Sequence, residues 1–145
     1  MEWIDKKFSD LSVNELFKIY KLRAEVFNAE QNSSYVDPDD NDLSARHIFT
    51  IADGQLAAYA RYFKTGDKVT FGRVIVSPDF RGKGLSKVLV DKILTGISSH
   101  YPGREIIIHS QAYIQGLYKE FGFKPQGDYF IEADRKHIAM IHSAF

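Results

Sequence analysis

With 145 residues and 44% hydrophobic content, the chain is sized for one domain over residues 1–145 built on one core. Nineteen Lys and Arg against nineteen Asp and Glu leave no net charge, which argues against a nucleic-acid or anionic-membrane partner. Cysteine is absent, which excludes disulfides, thiolate metal sites and a cysteine nucleophile, and no apolar run nears the roughly 20 residues of a bilayer span, so the expectation is a cytoplasmic protein.

An imperfect alternation over residues 2–8 suggests a first strand. Ser12 and Glu15 then form a capping box, with Leu11 and Leu16 flanking it, so a helix is predicted from Val13. Its apolar face runs through Leu16, Ile19, Leu22 and Val26, and the pattern ends after Ala29. Glu30 to Asp42 holds two Ser, two Asn, one Pro and five acidic residues and reads as a loop. His47–Ala52 and Leu56–Phe63 flank Asp53-Gly54, a dipeptide suited to a tight hairpin. After a turn at Thr65-Gly66-Asp67, Val69–Val76 makes a third strand, which Ser77-Pro78 stops.

Lys83 to Ser99 carries a helical stripe of Leu85, Val88, Leu89, Ile93, Leu94 and Ile97, closed by Tyr101-Pro102-Gly103. Ile106-Ile107-Ile108 is a wholly apolar run, suited to a strand covered on both faces and parallel to its neighbour. Ile114, Leu117, Tyr118 and Phe121 give another helical stripe, with Gly122 placed to cap it. Two strands, about Tyr129–Ala133 and His137–His142, join at Asp134-Arg135. The order of elements implies one mixed sheet with helices packed on it.

The stretch Val74-Ile75-Val76-Ser77-Pro78-Asp79-Phe80-Arg81-Gly82-Lys83-Gly84-Leu85-Ser86 leads a strand through a glycine-rich turn into a helix. The first amides of a helix lack partners and carry the positive dipole end, so glycines that admit a phosphate create an anion site there. Gly82 and Gly84 could also simply shape a turn. The chain has no P-loop, and the third glycine of a dinucleotide fingerprint would fall at Lys87.

Arg81-Gly82-Lys83-Gly84-Leu85-Ser86 resembles the acyl-CoA signature of the GNAT superfamily of N-acyltransferases, except for Ser86 at its last small position, and Tyr118-Lys119-Glu120-Phe121-Gly122-Phe123 resembles its second signature. With Leu22-Arg23-Ala24-Glu25-Val26-Phe27, Glu30-Gln31 and Gly72-Arg73-Val74-Ile75-Val76, the chain is most similar to the ElaA-type subgroup, although Ser34 stands where that subgroup has Cys. The resemblance implies an α/β (α+β) fold, with a mixed, mostly antiparallel central sheet flanked by helices and one parallel β-α-β unit carrying the acyl-CoA site. It implies direct transfer of an acetyl group from acetyl-CoA to a small-molecule or peptide amine in a ternary complex. Val74, Ile75 and Val76 would offer backbone groups to the pantetheine arm, Arg81, Gly82, Lys83, Gly84, Leu85 and Ser86 would hold the diphosphate, and Gln111 stands where many members have an Asn that touches the cofactor. Tyr118 would direct its hydroxyl at the CoA sulfur as general acid.

On periodicity alone Tyr118 is equally a core residue. The acceptor's proton needs a taker, because a Lys-type amine is almost wholly protonated at pH 7. Glu30 is expected in that role, with an aspartate of the acidic loop and His109 as alternatives. Glu30, Gln31, Asp37, Asp40 and Arg61 are the expected acceptor-binding residues, with the loop carboxylates either solvated or recruiting a cation. Arg23 and Arg61 find their plain explanation in pairing with that loop. A calcium loop fails on spacing, since position twelve from Asp37 is Ile48, and the five His lack metal-ligand spacing, so no metal is expected. His47, His109, His137 and His142 fall in predicted strands and read as structural. Two other readings stand beside acetyl transfer. One is an acyl-homoserine-lactone-synthase-like enzyme, suggested by Arg23, Val26, Phe27 and Arg61; the other is a non-catalytic acyl-CoA sensor.

Overall fold

A computed structural model describes all 145 residues, Met1–Phe145. One seven-stranded sheet runs in the order β1-β2-β3-β4-β5-β7-β6, with β1 at Trp3–Lys7, β2 at Arg46–Ala52, β3 at Gln55–Thr65, β4 at Lys68–Val76, β5 at Ile106–Gln111, β6 at Lys124–Glu132 and β7 at Arg135–His142. Every neighbouring pair is antiparallel except β4 and β5. The expected mixed, mostly antiparallel sheet is therefore present. No helix is long and apolar enough to cross a membrane.

The helices are α1 (Val13–Arg23), α2 (Asn41–Ser44), α3 (Leu85–His100) and α4 (Gln115–Lys119). The capping box opens α1: Glu15 N–H donates to Ser12 Oγ at 3.0 Å and Ser12 N–H to Glu15 Oε1 at 2.8 Å. The one helix expected over residues 13–29 changes winding partway, continuing beyond Arg23 as a π-helix over Ala24–Glu30. Wider winding of this kind is frequent at functional sites.

Helices α3 and α4 cover one face of the sheet, over a core that includes Tyr62, Phe71, Leu89, Ile93, Ile106, Ile108 and Met140. Gly96 lets α3 come this close, because a Cβ there would stand 2.5 Å from the Tyr62 hydroxyl, which donates to Asp5. On the other face α1 and its π-helical extension bury Ile19, Leu22 and Val26 against Phe49, Tyr59 and Ile75.

Two irregularities position the site. The parallel pair β4/β5 touches only at Val69 and Ile106, after which the strands diverge and open a wedge in the sheet. Opposite Ala60, β4 carries two residues, Arg73 and Val74, where the register with β3 shifts, and Arg73 adopts φ 51°. A non-glycine residue in this left-handed region stores strain and persists only where its surroundings hold it.

The β6–β7 hairpin departs from expectation. The strand expected at 129–133 begins at Lys124, and the turn falls at Ala133-Asp134, one residue before Asp134-Arg135. Pro125 and Gly127 mimic a loop in sequence, but β6 is an edge strand with one face in solvent, where both residues are tolerated.

Candidate active site

Where β4 leaves β5, residues 81–86 carry the chain into α3. Gly82 and Gly84 both take left-handed conformations, at φ 78° and 76°, and a Cβ on either would meet no atom within 4 Å. Neither glycine is demanded by crowding. The turn instead presents bare main chain beside the N-terminus of a sixteen-residue helix whose N-cap, Gly84, supplies no side-chain acceptor. Unpartnered amides and a positive dipole end facing open space are what a diphosphate requires.

A groove of about 610 Å³ extends from this cradle between the splayed strands, lined by Val74–Val76, Gly82, Gly84, Leu85, Gln111 and Tyr118, with Phe27 and Glu30 from the π-helix. Within it the Gln111 side-chain oxygen is buried without a hydrogen-bond partner. An orphaned buried acceptor is costly, so the groove fits a ligand arm that brings donors, as the amides of an acyl-CoA pantetheine would.

A second cavity, of about 630 Å³, lies on the α1 side of the sheet and shares Phe27, Gln31, Val74, Gln111, Ile114 and Tyr118 with the groove. Tyr118 is 3% exposed, packs its ring edge-on against Phe71 and Phe123, and has no hydrogen-bond partner within the protein. Burial, with a contribution from Tyr113, pushes its phenol above the usual range, so the hydroxyl stays protonated at physiological pH.

One wall of this cavity is a lattice of arginine and aspartate. Arg23, fully buried, donates to Asp37 at 2.6 Å and to Asp42 at 2.7 Å; Arg61 reaches Asp39 and Asp42. Arg73 donates to the Asp37 carbonyl at 2.9 Å, and its Nε lies 2.7 Å from Asp37 Oδ1 as an ion-pair contact without hydrogen-bond alignment. These anchors hold the strained Arg73 backbone. Burial works to raise the Asp42 carboxyl, but the hydrogen bonds and charge of Arg23, the Asp39 backbone N–H and the Arg61 hydrogen bond together outweigh it and hold the group below its usual range; the Arg61 hydrogen bond leads in lowering Asp39.

His47 completes the lattice as a buried structural histidine. Its Nε2 lies 2.9 Å from the Asp42 carbonyl, which only accepts, so Nε2 carries the hydrogen and Nδ1 accepts from Tyr59 at 2.8 Å. Burial lowers its affinity for a second proton.

The expected site residues divide between these places. Val74, Ile75, Val76, Arg81, Gly82, Gly84, Leu85, Ser86, Gln111 and Tyr118 line the groove. Lys83, in the same turn, places its ammonium over the Phe80 ring. Glu30 lines the groove and not the cavity, and its carboxylate takes Arg81 at 2.9 Å. Gln31 reaches both spaces, and its carbonyl accepts from Arg135 at 2.7 Å. Asp37 and Arg61 line the cavity but already hold each other's neighbours, whereas Asp40 is exposed and outside both spaces. Asp37 and Asp42 are thus buried and, like the more exposed Asp39, neutralised by arginines from α1, β3 and β4, which leaves none of the three free to recruit a cation.

Sequence reasoning missed Arg73, Glu132 and Arg135 as cavity residues. No local pattern marks them, since Arg73 and Glu132 are single charges on strands and Arg135 lies in the charged run Asp134-Arg135-Lys136. His109, expected either as a structural residue or as an alternative taker of the acceptor's proton, stands half exposed in the cavity wall.

Residues 10–143 match the acetyltransferase (GNAT) domain family. The chain is 39% identical over 145 residues to the protein ElaA of Escherichia coli, covering 97% of this chain and 95% of that one. The crystal structure of Escherichia coli ElaA superposes with a TM-score of 0.94 over 99% of this chain and 100% of its own. An acyl-CoA N-acyltransferase from Pseudomonas aeruginosa, 32% identical, also gives 0.94 over 98% of this chain and 99% of its own. The acyl-homoserine-lactone synthase LasI gives 0.77 at 14% identity, over 97% of this chain and 88% of its own, a likeness of fold alone.

Proposed function

The chain belongs to the GNAT acetyltransferase family of acyl-CoA-dependent enzymes, and from that premise we propose that it moves an acetyl group from acetyl-CoA to an amine by direct transfer within a ternary complex. One observation carries this reading. The groove and the cavity share lining residues, among them Val74, Gln111 and Tyr118, so a thioester in one and an amine in the other would meet there. Direct transfer needs no covalent intermediate, and the chain has no cysteine to form one.

Residues 81–86 hold the diphosphate on main-chain amides, Val74 to Val76 pair with the pantetheine arm, and Gln111 accepts from it. Bound acetyl-CoA supplies an activated thioester carbonyl, which the Val76 amide polarises. The acceptor arrives as an ammonium, gives up one proton, and its nitrogen attacks the carbonyl carbon. As the C–N bond forms and the C–S bond breaks, the electron pair leaves on sulfur, and Tyr118 hands that sulfur its proton. The second amine proton restores the phenol, so the products are an amide, free CoA thiol and one proton released to solvent.

The test is thiol release from acetyl-CoA against a panel of amines and peptides, with initial rates measured over both concentrations. Intersecting double-reciprocal lines are expected. Parallel lines would overturn direct transfer, and CoA binding without turnover on any amine would favour the sensor reading. The lactone-synthase reading has only a shared fold to support it.

A further inference from the structure

The cavity contains one ionisable pair that the arginine–aspartate lattice does not absorb. His109 on β5 lies with Nδ1 2.9 Å from Glu132 Oε1 on β6, and both residues line the cavity. Because a carboxylate only accepts, the neutral ring must carry its hydrogen on Nδ1, which leaves the Nε2 lone pair without a protein partner. Phe130 fixes the ring's plane, meeting it edge-on at 5.0 Å while stacking on His137 at 5.9 Å.

Glu132 is itself held in place. The hairpin turn that follows it has two non-glycine residues at positive φ, Ala133 and Asp134. The next residue, Arg135, donates across the cavity rim to the Gln31 carbonyl at 2.7 Å. His137 donates through Nδ1 to the Arg135 carbonyl at 2.8 Å, and its Nε2 lies 3.7 Å from Glu132 Oε2. The carboxylate thus accepts from His109 at the end of an anchored turn, with the His137 ring, its hydrogen given to Arg135, beside it.

Resting on the acetyl-transfer reading above, we propose that His109 is the catalytic base and Glu132 its positioning residue. The step balances simply. Nε2 takes one proton from the acceptor's ammonium, the freed nitrogen pair attacks the thioester carbonyl, and the imidazolium, stabilised by Glu132, returns the proton to solvent after the acetylated product leaves. The pair needs an acceptor whose amine can reach a half-exposed imidazole, so the acceptor class is a primary amine on an unhindered chain. The other ionisable groups facing this space are His137 on β7, Arg61 and Arg73 with Asp37, Tyr35 from the loop before Asp37, Arg135 and Tyr118 on α4.

Two measurements test this. In the unliganded protein, ¹⁵N NMR of the His109 ring is expected to show the Nδ1–H tautomer in wild type and a mixture in Glu132→Gln. An Nε2–H tautomer in wild type would overturn the proposal. With an accepted amine, His109→Gln should lower kcat/KM by about 10²–10⁴ and remove its fall at acid pH, while CoA affinity and the melting temperature stay unchanged. Glu132→Gln should lose less and keep the acid fall. An unchanged pH profile in His109→Gln would overturn the base assignment while leaving acetyl transfer intact. Failure of wild type to turn over any amine would instead defeat the transferase reading, with the tautomer still separately measurable.

Discussion

The groove and the cavity meet at Tyr118, yet they are built of different material. The groove is drawn mostly from two short stretches, residues 74–86 and 111–118, and its glycine turn offers bare main chain where the strands part company. The cavity is side chain, brought from β3, β4, β5, the 31–42 loop and the β6–β7 hairpin, and its charges are set by ion pairs between residues far apart in sequence. Evolution of a binding surface from backbone leaves a local motif. A surface assembled from paired side chains leaves only scattered charges. Substitutions should therefore act differently in the two regions, by blocking approach in the groove and by unbalancing charge in the cavity.

The largest effect is expected at the meeting point. Tyr118→Phe keeps the ring on Phe71 and Phe123 and removes only the hydroxyl, so the single-turnover acetyl-transfer rate should fall about 10²–10⁴-fold with little change in CoA affinity or melting temperature. Because burial raises the phenol above its ordinary value of 10.0, wild type should show no alkaline loss from this group below pH 10. An undiminished rate would leave Tyr118 as a core residue shared by two spaces with different jobs.

Next comes the lattice. Asp42 is 1% exposed and serves Arg23 and Arg61 together, so Asp42→Asn strands buried positive charge and should destabilise the fold by about 3–5 kcal/mol in denaturant unfolding. The pH dependence has a definite sign. Asp39 and Asp42 sit below their usual range when folded, so their stabilisation is complete above the unfolded carboxylate range near pH 4 and disappears as pH falls through the lower folded values. His47, also depressed, acts earlier: the unfolded chain takes up its proton first, so stability declines as pH drops below about 6.5. A loss under about 1 kcal/mol in Asp42→Asn would mean that the cavity wall does not depend on its charges.

The groove should respond to one Cβ. Gly84→Val places a branched side chain in space that is empty of protein and forces a left-handed backbone on a residue that resists it at about 1–2 kcal/mol. CoA affinity by calorimetry should weaken at least about tenfold, equivalent to roughly 1.4 kcal/mol, with a smaller effect on the affinity for the amine. Unchanged CoA affinity would remove the diphosphate cradle.

This contrast also explains what the sequence revealed. The glycine turn, the Tyr118 stripe, the capping box and the order of strands were all legible, because each is a contiguous pattern with a local physical cause. The π-helical winding after Arg23, the bulge at Arg73 and the early start of β6 were not. The last two are imposed by tertiary partners: Arg73 by Asp37, and β6 by pairing with β7 in spite of Pro125 and Gly127. The acidic loop was legible in part. Pairing of Arg23 and Arg61 with it follows from the sequence, but its composition does not reveal that Asp37 and Asp42 are buried by that pairing or that Arg73 joins it from β4.

The smallest effect separates the two regions most cleanly. Glu30 was the first choice for the proton acceptor on sequence grounds, since it closes the first helix beside the acidic loop. In the folded chain it faces the groove and bonds Arg81, with both side chains 43% exposed. An ion pair this open contributes about 0–1 kcal/mol, so Glu30→Gln should barely alter stability. Its role in the groove is to steer Arg81, whose Nε also donates to the Val76 carbonyl at 2.9 Å beside the proposed pantetheine path. The variant should accordingly change the KM for acetyl-CoA by no more than a few-fold, as about 0–1 kcal/mol allows, with kcat and its pH profile retained. Steady-state kinetics across pH would decide the matter. A drop in kcat of two orders of magnitude, with the acid limb lost, would move the base from the cavity wall to the groove and erase the division of labour between main chain and side chain.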